Sequence, residues 1–393
     1  MNLKFWQNLS SEPFQALSKL EDLLHCGISQ SCQQLNNFVS SLALGLEKLN
    51  MDLDTAIVNL DQIHEAYAYL KTSPHVVRTP VLPHIQNLFQ RSDKEDEVDD
   101  LLVKDLSKVD LYLKMENMQT TGSFKIRGVI NQMRKVQEKY GKLPKLVTMS
   151  AGNYGKAFAH AVGNSGTKSV CVMPKTAPQN RSKLIEKMGV EVRKTPTSEL
   201  QSEVDRLVAE EDFVFCHPFD DVNLIAGYAS SALEVLEDVP DADVVVVCCG
   251  GGGLVSGVGA GISLSGHRRC RVYAVEPDGA STMFESFKAR RPITLPEAKS
   301  VAAGLAPPYA GTICYRHCRW FVEDILLVSD AEILRTMRLL FQRGIKAEPS
   351  GCAALAAVLS GKVPDIEGKK VVVYISGGNV TCSELAFYMK EEV

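Results

Sequence analysis

The sequence has no basic excess. Its 43 Lys and Arg residues stand against 47 Asp and Glu, a formal net charge of -4, so the electrostatic footprint of a nucleic-acid binder is missing and no polyanion partner is expected. It also lacks a cysteine framework. The eleven cysteines are odd in number, irregularly spaced and include the adjacent pair Cys248 and Cys249, which argues against a disulfide scaffold and for a reducing compartment. Cys314, His317 and Cys318 could begin a metal site, but no second ligand pair stands at a recognisable spacing, and buried thiols are the simpler reading. No basic, apolar leader opens the chain, and Glu12, Glu21 and Asp22 are unlike an acid-poor transit peptide. The longest uncharged run, residues 244–266, is split by four consecutive glycines, so it reads as two short elements and not as a membrane span. These absences imply a cytoplasmic protein with neither a membrane nor a nucleic-acid partner. No internal repeat is present.

What remains is an ordinary globular composition, 45% hydrophobic and 23% charged, over 393 residues, a length that suits two domains. Phe14, Leu17, Leu20, Leu23 and Leu24 recur at helical spacing within an extension, residues 1–52, whose role the residues do not disclose. A second helical pattern covers 53–70. Arg78-Thr79-Pro80-Val81 then marks entry into extended chain, and the charged stretch 91–105 reads as a solvated loop. From residue 109, β-rich runs at 111–114, 146–149, 169–172, 244–249, 272–275 and 371–375 alternate with helical patterns. That alternation predicts an α/β fold with open, mostly parallel twisted sheets, whose ligands gather beyond the carboxyl ends of the strands.

Four of those loops carry chemistry. In Asn117–Gly128, Lys125 stands at a helix start, where the positive end of the dipole disfavours a cation and lowers its pKa; alone, such a lysine is more simply a solvated one. Ser150-Ala151-Gly152-Asn153-Tyr154 follows a strand and opens a helix, with small residues that let backbone amides reach a carboxylate and an Asn153 amide able to bond a ring hydroxyl; a routine capping turn is the competing reading. Gly250-Gly251-Gly252-Gly253-Leu254 lets amides converge on phosphate oxygens with a helix dipole behind them. A dinucleotide site is the rival there, yet no register fits G-x-G-x-x-G, and only Glu276 imitates a ribose-binding acid. The fourth loop, Ser376-Gly377-Gly378-Asn379, closes the last strand, with Glu348-Pro349-Ser350-Gly351 shortly before it.

Together with Lys114-Met115-Glu116-Asn117 and Gly122-Ser123-Phe124-Lys125-Ile126-Arg127-Gly128, these motifs resemble the serine/threonine dehydratase and serine racemase family of fold-type II pyridoxal-phosphate enzymes, from about residue 53 to the C-terminus. The resemblance implies a tryptophan synthase β-like fold, with a large cofactor-binding domain at 53–140 and 224–393 and a small domain at 141–223. It implies that Lys125 carries pyridoxal 5'-phosphate and takes the substrate's α-proton, that Phe124 packs on the cofactor ring, and that Asn153 bonds the ring hydroxyl. Gly250, Gly251, Gly252, Gly253 and Leu254 would hold the phosphate, and Ser376 would face the pyridine nitrogen. Ser150, Ala151, Gly152, Asn153 and Tyr154 would receive the substrate. A homodimer and a small amino-acid substrate are likewise implied.

The implied activity is α,β-elimination by a carbon–nitrogen lyase (ammonia-lyase) of amino-acid metabolism, turning L-serine or L-threonine into a 2-keto acid and ammonia. The alternatives are a serine or aspartate racemase, a β-replacement enzyme and a non-catalytic cofactor-binding descendant. Serine racemases place a serine, the second acid/base, where this chain has Ala151, which favours elimination. Tyr154 replaces the family's usual histidine. Glu276 and Ala280 match ligands of a divalent cation in eukaryotic racemases, but Thr282 stands in place of the aspartate, which puts that cation in doubt. The chain also leaves no room after Asn379 for a C-terminal regulatory domain.

Overall fold

A computed structural model of the protein describes residues 57–89 and 105–390. The extension at 1–52, with its helical pattern, and nearly all of the charged stretch 91–105 lie outside the described residues. The strands are β1 (Val81–Leu82), β2 (Asp110–Lys114), β3 (Leu146–Met149), β4 (Ser169–Pro174), β5 (Glu191–Thr195), β6 (Val214–Phe215), β7 (Val244–Cys248), β8 (Arg271–Pro277), β9 (Asp324–Val328) and β10 (Lys370–Tyr374). They form a six-stranded sheet, β1-β2-β10-β7-β8-β9, and a four-stranded sheet, β5-β4-β3-β6. Every pairing is parallel except β1 with β2. The runs of valine explain this arrangement: Val244 to Val247 and Val371 to Val373 are all buried, as strands covered by helices on both faces must be. Strands β5 and β9, absent from the sequence reading, are edge strands with charged residues, a composition that blunts an edge but hides it from a search for apolar runs.

The helices are α1 (Leu60–Thr72), α2 (Lys125–Tyr140), α3 (Asn153–Val162), α4 (Gln179–Lys187), α5 (Leu200–Glu211), α6 (Val222–Asp238), α7 (Gly253–Leu264), α8 (Thr282–Ala289), α9 (Thr312–Phe321), α10 (Asp330–Gln342), α11 (Pro349–Leu359) and α12 (Cys382–Lys390). Of the helical pattern expected at 53–70, residues 53–56 lie outside the described residues; helix α1 begins at Leu60 because Asn59 caps it, trading hydrogen bonds with Gln62 in a capping box. The uncharged run 244–266 is indeed two elements, β7 and α7, joined by the glycines. No helix among the described residues is long and apolar enough to cross a membrane. The nine described cysteines are all free, eight of them buried.

Strand order decides where chemistry gathers. Because β2, β10 and β7 are neighbours, the loops leaving their carboxyl ends lie side by side, and these are the loops of Lys125, Ser376 and the glycine tetrad. They are stitched together by backbone: Phe124 N–H donates to Ser376 O at 3.1 Å, Asn117 N–H to Ile375 O at 2.9 Å and Gly378 N–H to Gly122 O at 2.9 Å. Helices α2 and α6 touch backbone to backbone, since a Cβ on Gly227 would lie 2.7 Å from both Arg127 O and Gly128 Cα.

Beneath this junction lies a buried ionic cluster. Arg127 spans two carboxylates: its Nε and Nη2 donate to Glu116 at 2.8 Å each, and its Nη1 and Nη2 donate to Glu234 at 2.8 and 2.7 Å. Lys114 Nζ adds bonds of 2.6 Å to Glu234 and 2.7 Å to Thr79 O, and the Thr79 hydroxyl donates to Glu116. Burial would raise Glu116, but the Arg127 charge and hydrogen bonds outweigh it and hold the carboxyl below its usual value. Two cations face two anions, so the cluster is neutral while complete and costly once one member is gone. Replacing Arg127 by Met is expected to cost about 3–5 kcal/mol by leaving carboxylates buried without their partner, read as a lower denaturant midpoint with cofactor present or absent; a loss under ~1 kcal/mol would show that the cluster does not hold this junction.

Candidate active site

Lys125 opens α2 behind Phe124, which offers no side-chain cap. Lys125 is half-buried, and its ammonium donates to Pro218 O at 3.2 Å, with no ion pair to a carboxylate among the described residues. It sits instead among aromatic faces, 5.0 Å from the centroid of Phe124, 5.7 Å from that of Tyr228 and 5.9 Å from that of Tyr154. Burial lowers its pKa to about 8. The direction matches the sequence expectation, but the leading cause is desolvation, which the position at a helix start does not by itself reveal.

The turn at 150–153 leaves β3 and enters α3. Ser150 Oγ accepts from Gly152 N–H at 3.3 Å and Gly155 N–H at 3.1 Å, so this hydroxyl shapes the turn. A Cβ on Gly152 would meet nothing within 4 Å, which leaves open space above the amides at the start of α3. Ala151 is part-buried and packs against the core. Tyr154 is buried, and its hydroxyl donates to Gln132 Oε1 at 2.6 Å; it turns its ring, not its oxygen, toward Lys125.

Asn153 belongs to a polar chain that sequence reading missed. Lys156 Nζ donates to Asn379 Oδ1 at 2.7 Å, Asn379 Nδ2 to Asn153 Oδ1 at 2.8 Å and to Thr121 O at 2.9 Å, and Asn153 Nδ2 to Glu348 Oε1. The ammonium can only donate and the Thr121 carbonyl can only accept, so both amides have one possible orientation and Asn153 presents its NH2 toward Glu348. Glu348 and Asn379 stand in the motifs 348–351 and 376–379, but their meeting is not legible there, because nothing in spacing shows which side chains meet across two sheets.

The glycine tetrad joins β7 to α7. Gly252 has φ +98°, and a Cβ there would lie 2.7 Å from Met283 Cε and 2.8 Å from Cys314 Cβ. A Cβ on Gly251 would enter the Phe219 ring, and one on Gly250 would come within 3.0 Å of Leu305 Cα. No side chain fits, and Leu254 is buried behind them. Ser376 is buried at the end of β10, and its Oγ accepts from the Cys248 thiol at 3.2 Å. Burial raises Cys248 to about 11, so the thiol keeps its proton and the serine hydroxyl remains free to donate elsewhere.

The residues fit pyridoxal phosphate. Thr121 Oγ1, Ser123 Oγ and Tyr228 Oη are buried around Lys125 without any hydrogen-bond partner, orphans that a polar ligand would satisfy. The protein packed around the glycine tetrad leaves no room for a Cβ, so its backbone stays bare, and the amine is desolvated and unpaired.

Glu276 is occupied. Its carboxylate accepts from Met283 N–H and Phe284 N–H at 2.8 Å each and from Thr282 Oγ1 at 3.3 Å, capping α8, while burial raises it to about 8. Ala280 is buried beside it. Among the described residues no group of three or more His, Cys, Asp or Glu side chains is placed to hold a metal. His317 is committed as well, with Nε2 accepting from Val58 N–H at 3.0 Å and Nδ1 bonded to Ile313 O at 2.8 Å, so it does not join Cys314 and Cys318 as a ligand.

Comparison with known proteins matches residues 101–377 to the family described as pyridoxal-phosphate dependent enzyme. The catabolic L-threonine dehydratase of Staphylococcus aureus (strain N315) is 32% identical over 340 residues, covering 85% of this chain and 93% of its own. The L-threonine ammonia-lyase of Thermotoga maritima is 35% identical over 274 residues, 69% of this chain and 67% of its own. Among solved structures, maize serine racemase superposes with a TM-score of 0.73 at 30% identity, covering 85% of this chain and 97% of that one.

Glu348 generates a test of pH dependence. Burial, opposed by the Asn153 hydrogen bond and Arg181, raises its carboxyl from 4.5 to about 7, so the folded protein binds this proton more tightly than the unfolded chain. Its contribution to stability is full below pH 4.5 and is lost as pH rises through about 7. Glu348→Gln should remove a decline on the order of 3 kcal/mol between pH 5 and 8 in urea unfolding; an unchanged pH–stability curve would show that Glu348 does not titrate there.

Proposed function

The chain belongs to the family of pyridoxal-phosphate-dependent enzymes, and on that premise we propose that it is an ammonia-lyase which removes water and ammonia from a small L-hydroxy-amino acid such as L-serine or L-threonine, leaving a 2-keto acid. The observation that carries this reading is Lys125: an unpaired amine, lowered to about 8 by burial, at the meeting point of the glycine cradle, Ser376 and the open turn at Gly152. Pyridoxal phosphate, when bound, withdraws electrons from the substrate's α-carbon and so acidifies its α-proton.

The chain's own residues do the rest. Amides at the start of α3, above the open face of Gly152, hold the substrate carboxylate. Lys125 Nζ, largely neutral above pH 8, accepts the α-proton from its side of the substrate. Bound there, the cofactor would be held by the second N–H of Asn153 Nδ2, whose first goes to Glu348, at its ring oxygen, by the Ser376 hydroxyl at its ring nitrogen, and by the tetrad amides with Leu254 N–H at its phosphate. Phe124 and the neighbouring rings keep water from the amine. A neutral serine hydroxyl supports less charge on the ring nitrogen than a carboxylate would, which suits expulsion of the β-hydroxyl over prolonged storage of charge.

Racemisation is the second reading, favoured by the likeness to maize serine racemase. Against it stand Ala151, whose methyl carries no proton, and Tyr154, whose hydroxyl is spent on Gln132. Free thiols support a cytoplasmic setting, and the family resemblance supports a homodimer.

Lys125→Ala should abolish both the absorbance of the bound cofactor and keto-acid production; turnover near the wild-type rate would remove the central claim. Ala151→Ser should introduce measurable interconversion of L- and D-serine, since a placed acid/base contributes ~10²- to 10⁴-fold to rate. Wild-type protein forming D-serine faster than pyruvate would overturn the lyase assignment.

A further inference from the structure

Tyr228 sits inside α6 with its side chain fully buried, and its hydroxyl has no hydrogen-bond partner. The ring is wedged where three helices converge. A Cβ on Gly128 of α2 would lie 2.6 Å from Tyr228 Cζ, one on Gly253 at the end of the tetrad would lie 3.3 Å from its Cε2, and one on Gly257 of α7 would lie 2.9 Å from its Cβ. The hydroxyl-bearing end of the ring therefore emerges between the first turn of α2, where Lys125 stands, and the glycine cradle. Phe124 meets the same ring edge-on, with centroids 4.9 Å apart, so the phenol cannot swing aside to seek another partner.

Burial pushes the Tyr228 phenol well above 10, which keeps it a proton donor. A neutral donor, fixed by packing and orphaned beside a cradle of backbone amides, complements an oxyanion. We propose that the Tyr228 hydroxyl is a ligand of the cofactor's phosphate group, a side-chain donor added to the backbone cradle of Gly250 to Leu254. The proposal rests on the cofactor reading above. It also gives a reason for a large phenol at a helix crossing built from glycines: Gly128, Gly253 and Gly257 clear the space that the ring needs to bring its oxygen to the cradle.

The test uses full-length protein freed of cofactor and two ligands that differ only at the group in question, pyridoxal phosphate and pyridoxal, whose dissociation constants are read from the absorbance and fluorescence of the bound ring. Tyr228→Phe keeps the ring and removes the oxygen. It should weaken pyridoxal phosphate ~10-fold, the usual worth of a hydrogen bond to a charged group, and leave pyridoxal unchanged within about twofold. Unchanged affinity for pyridoxal phosphate, or an equal loss for both ligands, would overturn the proposal, the latter because it marks a packing role. A thermal melt of Tyr228→Phe, together with Tyr228→Leu as a variant that loses the ring as well, separates misfolding from lost contact: Leu should weaken both ligands and Phe only one. Wild-type protein that binds neither ligand would instead sink the cofactor reading itself.

Discussion

The grip of Arg127 on Glu116 and Glu234 is the constraint on which the site depends. Arg127 lies two residues after Lys125, Glu116 follows β2, and Glu234 is deep in α6, so one guanidinium sets the distance between the loop that presents the amine and the helix that backs it. Such a cluster adds little stability over a well-packed apolar one. Its value is directional, because five donors in a fixed fork accept one arrangement of two carboxylates. The backbone contact of α2 with α6 then has to fall at Gly227 and Gly128.

Burial then produces different chemistry according to what lies beside each group. Lys125 is desolvated without an ion pair and is lowered to about 8, within reach of serving as a base. Glu348 is desolvated but answered by the Asn153 amide and nearby cations and comes to about 7. Glu276, equally desolvated, is answered by two backbone amides that cap α8 and stays at about 8. Arg127 keeps its charge because two carboxylates stand against it. The same low dielectric thus gives an unpaired amine, a titrating carboxyl, a helix cap and a structural ion, and only the local donors distinguish them.

How much of this was legible depended on range. The α/β class and the strands at 111–114, 146–149, 244–248 and 371–374 could be read because fully buried parallel strands are written as local runs of valine and leucine. The tetrad and the Lys125 loop could be read because their chemistry is carried by consecutive residues. Edge strands β5 and β9 could not, since Glu191, Arg193, Lys194 and Asp324 obey the solvent and not the core. Glu234, Tyr228, Cys248 and Lys156 were invisible for another reason: each acts on a residue far away in sequence, and such partnerships exist only after strand order has brought β2, β10 and β7 together. The cap at Asn59 was written in the sequence, with Gln62 three residues on, but lay inside a longer apolar period that obscured it.

The chain of amides from Lys156 through Asn379 and Asn153 to Glu348 joins a helix leaving the smaller sheet to loops leaving the larger one. On the proposed function, the turn that would receive the substrate carboxylate and the loop that would face the cofactor ring are therefore tied to each other through Asn153 and Asn379. If those bonds open and re-form, the substrate proposed to bind at Gly152 would favour the molecules in which they are made, and its apparent dissociation constant would be the intrinsic one divided by their fraction. Under that reading, two hydroxy-amino acids of equal fit would be separated by population as much as by shape.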